Sequence, residues 1–400
     1  MMTKPFSPIA AAVISLFLLP GISIAQDNNA NLLGQINTIT TAVPFLIISP
    51  DARAGGMGDA GAGSYADANS IHWNPSKLAF VEKKLGFAVS YTPWLRQLVP
   101  DINLAYVSFY DKLKGDQTIG ASLRYFSLGN ITFTDNAGNE IGQFNPNEYA
   151  FDIAYARKLS ENFSGGIALR YVYSNLTGGI LVENNATKPG QAVAADISAT
   201  YHNSDLEIGG KDATLNVGLV ISNIGNKISY TETGTKDFIP INLRLGPALT
   251  LKLNDYNELT FLVDFNKLMV PTPPIYSDSM SNGQQQILYG SDPDVSVPEG
   301  MIKSFSDAPD GFSEEMKEIN IASGFEYWYD KQFAFRAGYF YEHEDKGNRK
   351  YFTLGAGLKY NVFGLDFAYL IPTDQRNPLE NTLRFTLLFD FNSLKKADDE

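Results

Sequence analysis

Gly56-Met57-Gly58-Asp59-Ala60-Gly61 has the G-x-G-x-x-G spacing that lets a backbone lie against a pyrophosphate. Such a loop holds a dinucleotide only between a strand and a helix of a βαβ unit. Here Pro50 stands before it, a second Gly/Ala-rich run follows, and no helix-period segment comes after. The stretch 49–80 therefore reads as a compact coil whose small residues let the backbone fold on itself and lie close to surrounding walls. Arg53, Gly55, Gly56, Gly58, Asp59, Gly61, Asn74 and Pro75 are the residues that would shape it. His72, His202 and His343 lie far apart and show no metal-ligand spacing. No G-x-S-x-G elbow, P-loop or H-E-x-x-H occurs, and there is no cysteine for thiolate chemistry or a disulfide framework. No metal, cofactor or catalytic residue is expected, although a hydrolase assembled from scattered Ser, His and acidic residues is not ruled out by motif.

A second set of charges recurs singly on the polar side of alternating segments. Arg124, Arg170, Arg244, Arg336 and Arg384 are placed in this way, and so are Asp152, Asp196, Asp264, Asp366 and Asp390. In one such segment Leu383, Phe385, Leu387, Phe389 and Phe391 share a face opposite Arg384, Thr386 and Asp390. In another, Leu259, Phe261, Val263 and Phe265 oppose Thr260 and Asp264; in a third, Ile167, Leu169, Tyr171 and Tyr173 oppose Ala168 and Arg170. A soluble sandwich would turn its apolar face inward and carry a charge-rich exterior. An isolated charge among apolar neighbours suits the lumen of a membrane barrel, since on the lipid side it would cost several kcal/mol. The ten charges are expected to point inward and pair with one another or with the coil.

The elements that must position them are strands. Alternating segments fall near 85–92, 102–110, 117–128, 148–158, 163–175, 190–202, 213–223, 240–251, 257–266, 320–329, 333–341, 351–360, 363–370 and 381–391. That is an all-β chain: a transmembrane antiparallel β-barrel of about 14 strands, with the Gly-rich stretch as an N-terminal plug in its lumen. Aromatics are 12% of the 400 residues, with 21 Tyr and 26 Phe, and beyond the N-terminus no run of eighteen apolar residues could form a spanning helix. A net charge of −13 argues against a nucleic-acid partner.

The first 25 residues carry Lys4, an apolar run from Ile9 to Leu19 and the small-x-small site Ser23-Ile24-Ala25, which reads as a signal peptide. The resulting organisation is a signal peptide (1–25), a periplasmic lead-in and plug (26–84), a barrel (85–391) and an acidic periplasmic tail (392–400). Long connections at 129–147, 176–189, 224–239 and 267–319 alternate with tight ones at 159–162, 252–256, 330–332 and 361–362, apart from a moderate turn at 203–212. This pattern predicts long loops outside the cell and both termini in the periplasm. The connection 267–319 is Pro-, Ser- and Gly-rich and ends in a short helix from Ser313, with Ser313 as N-cap and Glu314 and Glu315 in the first turn. Its Tyr276, Ile287, Leu288, Tyr289, Met301 and Phe305 are candidate partner-binding residues, because aromatic and large apolar side chains anchor interfaces.

Asp51-Ala52-Arg53-Ala54-Gly55-Gly56-Met57-Gly58-Asp59-Ala60-Gly61, with Asn74-Pro75-Ser76-Lys77-Leu78-Ala79, resembles the start of the PorV (LptO) family. These are outer-membrane proteins of the Bacteroidota type IX secretion system, and the resemblance extends to Ser313–Glu318 and Glu326-Tyr327-Trp328-Tyr329. More distantly the chain is similar to the FadL barrels, whose hatch carries Asn-Pro-Ala where this chain has Ser76. The resemblance implies a shuttle rather than the protein-conducting pore itself. It would meet the large translocon barrel SprA (Sov), bind the C-terminal signal domain of cargo, and deliver it to the attachment component PorU, all within outer-membrane lipid. A FadL-type transporter of hydrophobic small molecules and a lipid A-modifying enzyme are the alternatives.

Overall fold

A computed structural model describes residues 36–392 except 97, 98, 100, 135–137, 180, 183, 184, 233, 282, 283, 375 and 376. The described residues from Asn37 onward form one compact unit. The signal-peptide reading, the lead-in up to residue 35 and the tail beyond Asn392 lie outside the described residues.

Fourteen strands close into one antiparallel barrel. They are β1 Leu85–Pro93, β2 Asn103–Lys112, β3 Gln117–Ser127, β4 Asn147–Lys158, β5 Phe163–Asn175, β6 Gly190–Ile208 and β7 Lys211–Gly225. The ring continues with β8 Asn242–Lys252, β9 Asn257–Leu268, β10 Asn320–Tyr329, β11 Phe333–Tyr341, β12 Lys350–Tyr360, β13 Phe363–Pro372 and β14 Leu383–Phe391. Each pairs with its sequence neighbour, and β14 closes on β1 in a register from Leu85 opposite Phe391 to Tyr91 opposite Phe385. Closure leaves no unpaired strand edge, the condition for β structure in a bilayer. Alternation sorts the side chains: Ile153, Ile167, Leu169, Phe335 and Phe352 are exposed on the outside, while Asp152, Ala168, Arg170, Arg336 and Thr353 are buried within.

The connections after even-numbered strands are all short. The moderate turn expected at 203–212 is tighter than that: β6 runs to Ile208 and β7 starts at Lys211, leaving Gly209-Gly210 with φ of 61° and 75°. Two consecutive positive φ values make a turn that fits the right-handed twist of a hairpin, and glycine adopts them without steric cost. At the opposite mouth the long connections carry structure of their own that alternation did not reveal. Two-stranded hairpins form at Ile131–Thr134 with Glu140–Phe144, and at Ile275–Ser281 with Gln284–Tyr289, here called the rim hairpin.

Residues 37–81 thread the ring from one mouth to the other. At the long-loop mouth Asn37 N–H donates to the Asp345 carbonyl at 2.9 Å and Ala42 N–H to that of Phe238 at 2.8 Å. Val43, Phe45 and Leu46 are buried there among Leu104, Phe126, Val172, Ile239, Ile241 and Met269. The segment then makes two one-turn helices, α1 Ala52–Gly55 and α2 Ser70–Trp73, and leaves at the other mouth, where Val81 precedes β1. Asn37 and Phe391 therefore stand at opposite mouths; the termini themselves lie outside the described residues.

Candidate functional site

The threading segment is fastened to the wall all round by groups that face inward from the strands. Asp51 caps α1, accepting from Ala54 N–H at 2.9 Å, and ties in α2 by accepting from Trp73 Nε1 at 2.5 Å. Ala52 N–H donates to Thr386 Oγ1 of β14 and Gly58 N–H to Thr353 Oγ1 of β12, both at 2.8 Å. The Gly-rich run does hold an anion, but a protein one. Gly61 and Ala62 N–H groups donate to Asp264 Oδ2 of β9 at 2.8 and 2.9 Å, so the G-x-G-x-x-G backbone is already occupied. Asn74 caps the 3₁₀ turn Pro75–Phe80, accepting from Ser76 N–H at 3.1 Å, and its Nδ2 donates to Thr200 Oγ1 of β6 at 2.9 Å. Lys77, which the sequence did not single out, is buried and donates to the Gly61 carbonyl at 2.6 Å and to Ser64 Oγ at 2.9 Å.

Close approach is what the small residues supply. At Gly338 on β11, a Cβ would stand 2.1 Å from Gly58 N; at Gly324 on β10, 2.5 Å from the Met57 carbonyl oxygen; at Gly218 on β7, 2.3 Å from that of Ala62. Glycines of the wall, not only those of the coil, open the channel that the segment fills.

The ten lumen charges divide by partner. Arg170 bridges Asp152 at 2.5 Å and Asp196 at 3.1 Å, and also bonds Asn223. Arg336 bridges Asp366 and Glu326, both at 2.7 Å, and Glu326 in turn holds Arg53 at 2.9 Å. Arg384 pairs with Asp59, carrying the ladder into the coil. Asp390 meets Lys359 at 3.1 Å. Arg124 and Arg244 meet neutral groups, most of them on the threading segment, rather than acids. Arg124 donates to the Phe45 and Leu46 carbonyls at 3.0 and 2.6 Å and contacts His72 Nδ1. Arg244 donates to Asn266 Oδ1 at 2.7 Å and to the Trp73 carbonyl at 3.3 Å, with its guanidinium 4.7 Å from the Trp73 ring centre. Among the described residues neither makes an ion pair. Glu326, buried inside β10, is the acid that position in the sequence hid, since it sits in the aromatic run Glu326-Tyr327-Trp328-Tyr329.

At the short-turn mouth a cavity of about 430 Å³ is lined by both signs of charge, among them Arg53, Asp67, Arg336, Lys359, Asp366 and Asp390, together with Trp328.

The long-loop mouth presents the other candidate surface. The rim hairpin exposes Tyr276, Met280, Ile287, Leu288 and Tyr289. Met301 is half-buried against the apolar cluster of the upper lumen, where helix α3 (Val297–Lys303) packs. Phe305 is half-exposed, its ring 5.7 Å from Lys267 Nζ. Helix α4 (Phe312–Lys317) starts one residue before the expected cap. Its N-cap is Gly311, with φ of 61°, and Ser313 makes no cap bond. Glu314, Glu315 and Glu318 are buried on two lysines: Lys267 meets Glu315 at 2.8 Å and Glu318 at 2.6 Å, and Lys346 meets Glu314 at 2.5 Å and Glu318 at 3.0 Å. Burial would raise the Glu314 carboxyl, but the Lys346 ammonium and the Asp310 N–H hold it below its ordinary value. Asp307, beside Thr272, is pushed up to about 6 by burial and by the neighbouring Glu315 and Glu318.

The family model of type IX secretion system protein PorV matches residues 31–275 of the 400. The chain belongs to the PorV family. Solved barrels are similar at low identity. The Pseudomonas putida toluene transporter TodX is 11% identical over 90% of this chain and 100% of its own, with a TM-score of 0.49. For the Ralstonia pickettii toluene transporter TbuX the figures are 12%, 87%, 100% and 0.46. For a Pseudomonas aeruginosa FadL homologue they are 12%, 88%, 99% and 0.45. No curated protein matches the chain. Family membership and the closed barrel with its apolar exterior fit an outer-membrane component of type IX secretion.

Proposed function

We propose that this protein binds the C-terminal signal domain of secreted cargo at a large SprA-like (Sov-like) translocon barrel and delivers it to the PorU-like attachment component. In this reading residues 37–81 are a plug, the long loops face out of the cell, and the protein works by binding. The observation that carries it is the rim hairpin, which sets five large apolar or aromatic side chains in solvent beside a lumen already occupied by bonded chain. Such residues on an ordered element are the usual anchors of protein interfaces. Met301 is better read as an anchor of the loop itself, because it packs on the upper core. A FadL-type route for hydrophobic small molecules would need an apolar track, and the mixed charges of the short-turn cavity disfavour one.

Replacing residues 277–288 by a short Gly-Ser turn tests this. The trimmed barrel is expected to insert and to keep its heat-modified gel mobility while cargo no longer reaches the cell surface. Normal insertion with cargo displayed at the parental level would remove the hairpin from consideration.

A further inference from the structure

Helix α4 is inside-out. Phe312 and Met316, four residues apart and so on one side of a helix, are 78% and 45% exposed, while Glu314, Glu315 and Glu318 are buried. The inversion follows from what α4 covers. Asp264 and Asn266 of β9 point into the lumen, where they meet Gly61 and Arg244, so alternation sets Lys267 on the outer side of the wall. Lys267 is nevertheless only 7% exposed, because Glu315, Glu318 and the Phe305 ring close over it. Directly below, the paired residues Phe265, Ile321 and Tyr341 form an outward row across β9, β10 and β11. That row belongs to the apolar band that includes exposed Phe261, Phe335 and Phe352. The helix thus sits on the rim beside the upper edge of the lipid face, with its carboxylates on the rim lysines and, for Glu314, also on Asn37 of the threading segment, and its apolar side turned away from them. Ile302, 75% exposed on α3, and the half-exposed Phe305 extend this surface along the same loop.

We propose that Phe312 and Met316, with Ile302 and Phe305, lie in the boundary between headgroups and acyl chains of the outer leaflet and anchor this sector of the rim to a lipid surface. Continuity with the lipid-facing row selects lipid as the occupant. An amphipathic helix lying in that boundary needs a short apolar side rather than a spanning length. The anchor is separate from the rim hairpin, whose exposed side chains stand on a different part of the loop, so either assignment can fail without the other. It would hold the base of the long loop in the membrane plane and leave the hairpin free for a protein partner.

The cysteine-free chain makes the test direct. Phe312→Cys and Met280→Cys are each labelled with an NBD fluorophore in the full barrel, reconstituted in phosphatidylcholine vesicles that carry a nitroxide on the upper acyl chain. Met316→Cys replaces Phe312→Cys if the latter lacks the parental heat-modified mobility. The expected result is blue-shifted emission on α4, quenched several-fold more by the nitroxide lipid than the label at Met280 on the hairpin. Equal quenching at the two positions, whether weak or strong, overturns the proposal.

Discussion

At the scale of single residues, the five inward arginines are not equivalent, and their partners say why. Arg170, Arg336 and Arg384 each stand against a carboxylate that has little water to turn to. Changing one of them to Leu leaves a buried acid without its counter-charge, a loss of about 3–5 kcal/mol. Arg124 and Arg244 hold carbonyls, a ring nitrogen and an amide instead. Their loss leaves neutral acceptors unpaired, at about 1–3 kcal/mol. Denaturant unfolding of each Arg→Leu variant in lipid vesicles should therefore sort Arg170, Arg336 and Arg384 below Arg124 and Arg244, and five equal losses would contradict the division. The inward placement of these charges was legible, because a period of two in an apolar setting leaves a lone charge nowhere else to go. Their partners were not. Glu326 lies on a neighbouring strand within an aromatic run, and Asp59 lies in the coil, so only the register of the closed ring brings them to the arginines.

At the scale of elements, the strand positions were legible and the wall glycines were not. Gly324 and Gly338 read in sequence as weak points of strands, whereas in the barrel they are where the threading segment passes. A side chain at Gly338 meets Gly58, whose own φ of 71° leaves it no easy alternative. Gly338→Leu is expected to unseat the segment and raise ion conductance across a planar bilayer several-fold over the parent, and a folded but electrically silent variant would contradict this. The helix α4 start was misread at Ser313 because its real cap, Gly311, works through backbone conformation and leaves no side-chain signature. The base of the same loop should respond to pH through Asp307. Its carboxyl is raised from 3.8 to about 6, so the folded loop binds that proton more tightly than the released loop does. Its contribution is fully present below the ordinary value and is lost as pH rises through about 6. Glu314 runs the other way, since its lowered value adds stability that disappears only on acidification below the ordinary carboxylate range. The loop should thus resist protease better at about pH 5, inside the window where the raised Asp307 holds its proton, than at about pH 7.5, above it, and Asp307→Asn should abolish the difference. A parental loop cut equally fast at both would count against this account of the cluster.

At the scale of the whole molecule, a closed ring was legible in the sequence because long and short connections alternate around it. The path of the first described residues was not. Asn37 is bound by Asp345, Pro273 and Glu314, all from connections at the long-loop mouth, and no local pattern announces contacts between positions so far apart. That path leaves the barrel with an occupied interior and a rim as its available surface, and the function proposed here follows from the combination. Affinity isolation from native outer membranes, with the intact chain beside the chain trimmed at residues 277–288, tests it most directly. The account predicts that the intact chain brings down a large outer-membrane barrel together with cargo C-terminal domains, and that the trimmed chain, present at equal level in the same membranes, loses both. Equal recovery by the two chains, or recovery of neither partner by the intact one, would contradict it.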